Sequence, residues 1–264
     1  PVDAYRARGG GFGGGGDRAP DEPQYSQLGA ELDYMLPAGA RTVQIEIMDA
    51  SGGVIRSFEG SGPGVSTETA QDMRAPFQRR VGASGPTLKV GLNRFVWDLT
   101  VPGPNGAASG GPTVVPGAYS ARVTVDGQAD TRTFDVLIDP RVAADGVTLA
   151  DLQAQFDLGI EIRTALEDAD ATIARLRSAQ ERVAEGTDVE AQLKEIERAL
   201  ITDQTISSYP QPMLRDQLNY LSSNSLSADQ KPAADMYERL EVLVTELEQH
   251  KERLQRLIRM VTDD

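Results

Sequence analysis

The hydrophobic period of this chain changes once and does not change back. From about residue 29 to residue 139 apolar side chains alternate with polar ones. From residue 148 onward they recur every three or four positions. A run of strands followed by a run of helices argues against a parallel sheet with crossover helices, which needs the two periods to interleave.

The alternating half divides into short segments. Ala30 to Leu36 places Leu32, Tyr34 and Leu36 on one face. Val43, Ile45 and Ile47 form the next set, and the cluster Asp49-Ala50-Ser51-Gly52-Gly53 predicts a turn into a second hairpin arm, Val54 to Phe58. Phe95, Trp97 and Leu99 alternate, as do Tyr119, Ala121, Val123 and Val125. Asp126-Gly127 predicts a tight turn, and Phe134, Val136 and Ile138 close the series. Such segments without intervening helices predict an all-β sandwich with Ile45, Ile47, Phe95, Trp97 and Tyr119 in its core. The stretches 60–86 and 102–113 are longer than hairpin loops, and loops of that length often carry function. A short helix is expected near Thr67–Met73.

The second half predicts helices. Thr148 and Asp151 resemble a capping box. Leu149, Leu152, Phe156, Leu166, Ile173, Leu176 and Val183 follow at helical spacing, and Gly186 ends that helix. A second helix spans about 188–203, Tyr209-Pro210-Gln211-Pro212 breaks the chain, and a short helix follows from Met213 to Leu221. Ser227 is expected to cap the last helix, whose seam includes Leu240, Leu247 and Leu254. The two long helices are expected to pack antiparallel on each other.

Before the first strand, Gly9 to Gly16 reads GGGFGGGG. Glycine-rich chain does not repay its ordering entropy by burial, so residues 1–28 are expected to be a flexible linker. No strand precedes these glycines and no GK[ST] follows, so a phosphate loop is not indicated. The expected domains are therefore a linker at 1–28, a sandwich at 29–140 and a helical hairpin or bundle at 148–262.

Composition narrows the function classes. The formal net charge of −14 disfavours nucleic-acid phosphates as a partner. With no cysteine, disulfides, thiolate metal sites and cysteine nucleophiles are excluded. The one histidine is His250, and a Ser-His-Asp triad or a multi-histidine metal site would have to use it. No stretch of 18 apolar residues predicts a transmembrane segment. The first residue is Pro1 rather than Met, and the sequence reads as a processed product or a piece of a longer chain.

Three runs carry a resemblance: VQIEIMDASGGVIRSF, GLNRFVWDL and VPGAYSARVTVDG. Ile47, Asp49, Gly53, Val54 and Arg56, then Trp97-Asp98, then Pro116-Gly117 and Tyr119 resemble the FlgD-type immunoglobulin-like domain. With LIDPRV, LADLQAQFDLGIEIR and the helical tail, residues 30–262 look like the C-terminal region of bacterial exported proteins. Those proteins carry sortilin-like or BNR-type β-propellers and are often labelled putative glycosyl hydrolases. The resemblance implies an α+β multidomain fold, an immunoglobulin-like antiparallel β-sandwich followed by a long antiparallel helical hairpin or bundle. It also implies an extracytoplasmic location and a β-propeller partner, in the same chain or a separate one. A homo-oligomer or filament is a variant of that reading. The propeller is absent from this sequence, so no catalytic residue is carried over.

The reading that follows is a non-catalytic structural or interaction module, with no catalytic, cofactor-binding or metal-binding residue and no cofactor. Asp33, Asp49, Glu59 and Asp98 are candidates for paired-acid chemistry, but each falls at a strand end or turn, where local hydrogen bonding is the simpler role. Asp126-Gly127 and Asp145-Gly146 are isolated turns and not calcium loops. The alternative is a glycan-binding module attached to a glycoside hydrolase. It would need exposed aromatics near the long loops, for which Phe77 and Tyr119 are the candidates. His250 is expected to be a partly buried packing residue.

Overall fold

The computed structural model describes residues 1–6, 29–60, 85–205 and 208–262. The chain is mixed α/β, with strands first and helices after. It divides into two compact units. One holds Pro1–Pro102 and Pro112–Leu152, the other Gly103–Gly111 and Gln153–Asp264. The expected short helix at Thr67–Met73, the glycine run and Phe77 lie outside the described residues.

Among its described residues the first unit contains seven strands: β1 (Ala4–Arg6), β2 (Ala30–Leu36), β3 (Val43–Met48), β4 (Val54–Glu59), β5 (Gly91–Trp97), β6 (Gly117–Val125) and β7 (Gln128–Ile138). Five form one sheet in the order β1-β7-β6-β3-β4, and β2 pairs with β5 in a second. Among these strands every pairing is antiparallel except β1 with β7, which is parallel, Ala4 lying opposite Val136 and Arg6 opposite Ile138. The linker expected at 1–28 is thus corrected at its start. Ala4 and Arg6 face inward and are buried, so this short stretch gains burial that the glycine run does not offer.

Alternation sets the core. The inward residues Leu32, Tyr34 and Leu36 of β2, Ile45 and Ile47 of β3, Phe58 of β4, Phe95 and Trp97 of β5, Tyr119 and Ala121 of β6, and Phe134 and Val136 of β7 are all buried. Both sheets contribute to the aromatic contacts. Phe58 and Phe95 rings lie 4.6 Å apart, and Trp97 meets Tyr119 at 5.7 Å and Phe134 at 6.3 Å, edge to face. Asp126 and Gly127 turn the β6–β7 hairpin with φ of 46° and 86°, the left-handed pair that a two-residue hairpin turn of type I′ requires.

A five-residue helix, α1 (Pro140–Ala144), follows β7. Asp139 caps it by accepting from the Arg141 N–H at 2.9 Å, and Pro140 occupies the first turn, where no N–H is needed.

The helical unit contains most of α2 (Leu149–Gln180), together with α3 (Asp188–Leu200), α4 (Leu214–Ser225) and α5 (Ala234–Thr262). Thr148 and Asp151 do form a reciprocal cap: the Asp151 carboxylate accepts from Thr148 N–H at 3.0 Å, and Thr148 Oγ1 accepts from Asp151 N–H at 3.2 Å. One apolar core joins Leu158, Ile162, Leu166 and Leu176 of α2 to Leu193 and Ile196 of α3, Leu214 and Leu218 of α4, and Leu240, Leu247 and Leu254 of α5.

The helix directions differ from expectation. Lys251 pairs with Asp168, and the Tyr237 hydroxyl reaches the Ala154 carbonyl at 3.5 Å, so fourteen residues along α5 correspond to fourteen along α2. These helices run parallel. The descending arm consists of α3 and then α4: Gln180 bonds to Glu197, Arg215 to Asp170, and Gln155 to the Ser225 carbonyl. Each long helix therefore packs antiparallel to the broken middle arm and not to the other long helix. Nor does Ser227 cap α5. Its hydroxyl donates back to the Asn224 carbonyl at 2.8 Å, and α5 starts only after Pro232, because the residue before a proline avoids the helical region.

Candidate functional site

Three of the motif residues, Arg56, Trp97 and Asp98, meet at one node in the strand unit. Arg56 projects inward from β4 with its side chain only 6% exposed. Its Nη1 donates to Asp98 Oδ1 at 3.1 Å and to Thr100 Oγ1 at 2.9 Å, and its guanidinium lies 4.8 Å from the centre of the Phe58 ring. Asp98 Oδ1 also accepts from Thr100 N–H at 3.2 Å and Thr100 Oγ1 at 2.8 Å. Trp97 Nε1 donates to the Thr100 carbonyl at 3.1 Å. Between them Leu99 sits at φ 59°, a conformation that costs a non-glycine residue about 1 to 3 kcal/mol. The bonds on either side hold it there, and its own side chain is buried.

Asp49 closes the β3–β4 turn. Its Oδ1 accepts from Ser51 N–H at 2.9 Å, Ser51 Oγ at 2.6 Å and Gly53 N–H at 2.9 Å. These bonds, led by the Ser51 hydroxyl, hold its carboxyl below the usual range. A Cβ on Gly53 would lie 2.9 Å from Asp49 Oδ2, which is why glycine stands there. Asp33 forms a two-pronged pair with Arg94, at 2.7 and 2.8 Å, which lowers its pKa. Glu59 is exposed at the end of β4.

The aromatic candidates divide. Trp97 is fully buried. Tyr119 is 9% exposed, donates its hydroxyl to the Val115 carbonyl at 2.6 Å, and has its pKa raised chiefly by burial. It offers no exposed ring face for a sugar, and Phe77 lies outside the described residues.

A cleft of ≈ 850 Å³ opens in the strand unit between β2 and the β6–β7 hairpin. Leu32, Ala121, Val123 and Val125 give it apolar walls, and Asp33, Asp126, Asp130 and Arg132 give it charge. Asp126 also accepts from Arg41 N–H at 3.0 Å and Thr42 N–H at 2.9 Å, and these backbone bonds hold its pKa down. Alternation alone does not disclose this cleft, because its walls come from segments far apart in the sequence.

In the helical unit, Asn105 donates its N–H to Glu167 at 3.1 Å and its side-chain amide to Asp170 at 3.0 Å, and Asp170 also pairs with Arg215 at 2.8 Å. The 102–113 loop thus contributes residues 103–111 to a unit that sequence reading assigns to helices alone. Beside this node a smaller cleft, ≈ 340 Å³, is lined by Arg177, Thr202, Arg215 and Asp216. His250 is partly buried, 3.8 Å from Glu246, and burial lowers its pKa. Leu240, Leu247 and Leu254 are buried in the core.

Among the described residues no group of three or more His, Asp or Glu side chains is placed to hold a metal ion, and no helix is long and apolar enough to cross a membrane. No family model, curated protein or solved structure matches this chain.

Proposed function

We propose that this chain is a non-catalytic interaction module of an exported bacterial protein. In this reading the strand unit is an immunoglobulin-like sandwich of the FlgD type and the helical unit is its assembly arm. The parent carries a β-propeller, in the same polypeptide or in a separate one, and works outside the cytoplasm.

One observation carries the proposal. The polar groups of the recurrent motif serve the scaffold: Arg56 pairs with Asp98, Asp98 accepts from Thr100, Asp49 accepts from its own turn, and Tyr119 donates to Val115. A carboxylate whose acceptor sites already serve local N–H and O–H groups is poorly placed to act as acid, base or nucleophile.

Mass spectrometry of native material under denaturing and non-denaturing conditions tests the reading. The expected result is this chain within, or bound to, a propeller-bearing polypeptide. Turnover by the purified 264-residue chain on a panel of glycosides and peptides would overturn it.

A further inference from the structure

Of the four asparagines in the chain, at 93, 105, 219 and 224, only Asn105 precedes a glycine. Both residues are exposed, and Gly106 has open space where a Cβ would stand, so its amide nitrogen is unhindered. Such a pair can lose the side-chain amide. The Gly106 nitrogen bonds to Asn105 Cγ, the bond from Cγ to Nδ2 breaks, and ammonia departs with the proton that the Gly106 nitrogen gives up. Water then opens the cyclic imide at either carbonyl and leaves aspartate or isoaspartate.

The fold opposes the first step. Asn105 is the third residue of a turn that the Gly106 N–H closes on the Gly103 carbonyl at 3.1 Å, with Pro104 before it. Its φ of 54° and ψ of 30° lie in the left-handed region that a third turn position of this kind reserves for glycine or asparagine. At that ψ the Gly106 nitrogen points away from the Asn105 side chain. Two residues of α2 hold the arrangement: the Asn105 N–H donates to Glu167 Oε1 at 3.1 Å, and its carboxamide donates to Asp170 Oδ2 at 3.0 Å. Reaction therefore requires the 103–111 segment to leave α2 first.

We propose that Asn105-Gly106 is a deamidation site that acts as a one-way latch on the 103–111 segment of the helical unit. Docked, the segment protects its asparagine. Once it opens and the imide forms, hydrolysis puts a carboxylate where a donor stood. A carboxylate has no N–H to give Asp170, and it meets Glu167 and Asp170 as a third like charge. Arg163 and Arg215, 3.8 Å from Glu167 and 2.8 Å from Asp170, already face those carboxylates. In isoaspartate the main chain also gains a carbon, and the turn on Gly103 loses its register. Opening is reversible before the reaction and irreversible after it, whether or not the chain is an interaction module.

The full chain is incubated in mildly alkaline buffer beside a capped peptide of residues 103–109. Peptide mapping by mass spectrometry follows both, and an isoaspartate methyltransferase reports the rearranged product. Asn105 is expected to convert at least about tenfold more slowly in the chain than in the peptide, because only the open fraction reacts. Glu167→Ala, which removes one anchor, moves the rate toward that of the peptide. In Asn105→Asp, amide exchange across 103–111 is expected to quicken by about tenfold or more, while the buried part of α2 keeps its protection. Asn105→Asp combined with Asp170→Asn returns a donor from the other side and restores the slow exchange. Should Asn105→Asp fold poorly, the converted fraction of the parent, separated on anion exchange by its extra charge, supplies the same measurement.

Five results overturn the proposal: no conversion at Asn105, conversion as fast as in the peptide, a rate that Glu167→Ala leaves unmoved, exchange across 103–111 unchanged by the new carboxylate, or a double variant as open as the single one.

Discussion

Arg56 and Asp98 join β4 to the turn after β5: a guanidinium almost sealed from solvent meets a carboxylate at 3.1 Å, and the two share Thr100 as a third partner. Removing either partner leaves the other charge in a poor solvent. Arg56→Ala is expected to cost about 3 kcal/mol or more, and Asp98→Ala a similar amount. The double variant should cost less than the sum of the two, which chemical denaturation of all four proteins measures as a coupling energy. Additive losses would show that the pair is incidental.

Each unit has its own apolar core. Trp97→Ala is expected to destabilise the strand unit by about 3 to 5 kcal/mol, and Leu247→Ala the helical unit by about 2 to 5 kcal/mol. Monitored by ellipticity at helical wavelengths and by amide exchange in the strands, Leu247→Ala should shift the first readout and Trp97→Ala the second.

Gly127 sits at φ 86° with open space where a Cβ would stand. Gly127→Val therefore meets backbone strain and no clash, and should cost about 1 to 2 kcal/mol. Gly53→Val should instead displace Asp49 from its turn, because the new Cβ meets Oδ2 at 2.9 Å. Melting curves of the two variants, with the Ser51 amide signal as a probe of the turn, separate strain from collision.

His250 sets a pH dependence of defined sign. Burial holds its folded pKa below the usual 6.5, so the unfolded chain takes up the proton first as the pH falls. The contribution to stability is complete above 6.5 and declines as the pH drops from there toward the folded pKa. A melting series from about pH 8 to about pH 5 should slope downward for the parent and flatten in His250→Gln. The carboxylates held low by hydrogen bonds, Asp126 and Glu190 among them, lose their contribution only at more acid pH, below about 4.

The parallel course of α2 and α5 has a direct chemical check. Zero-length carbodiimide cross-linking should join Lys251 to Asp168, with Lys251 to Glu248 as the local product. Antiparallel helices of the same overlap would instead set Lys251 against Glu161, so a link to Glu161 without one to Asp168 would restore the antiparallel arrangement.

Much of the strand unit is legible in the sequence because alternation reports directly on which face is buried. Ile45, Ile47, Phe95, Trp97 and Tyr119 stand in phase with their neighbours, and Asp126-Gly127 has the chemistry its turn demands. Other features are not local. A three-residue strand such as β1 has too few positions to show a period, and its pairing with Val136–Ile138 depends on residues more than a hundred positions away. The seam of α5 shows which side packs but not in which direction its neighbour runs, so Lys251 and Asp168 had no signal to connect them. Arg56 and Asp98 are forty-two residues apart, and nothing local in either segment discloses that they meet.

The parallel setting of β1 against β7 also has a mechanical side. Force applied to the first residues of the chain and opposed from the end of β7 pulls these two strands past each other along their common axis. The bonds between Ala4–Arg6 and Val136–Ile138 are then loaded together in shear, and they cannot open one at a time as they would in a peeled hairpin. A tether attached upstream would therefore draw against the resisting side of the sheet.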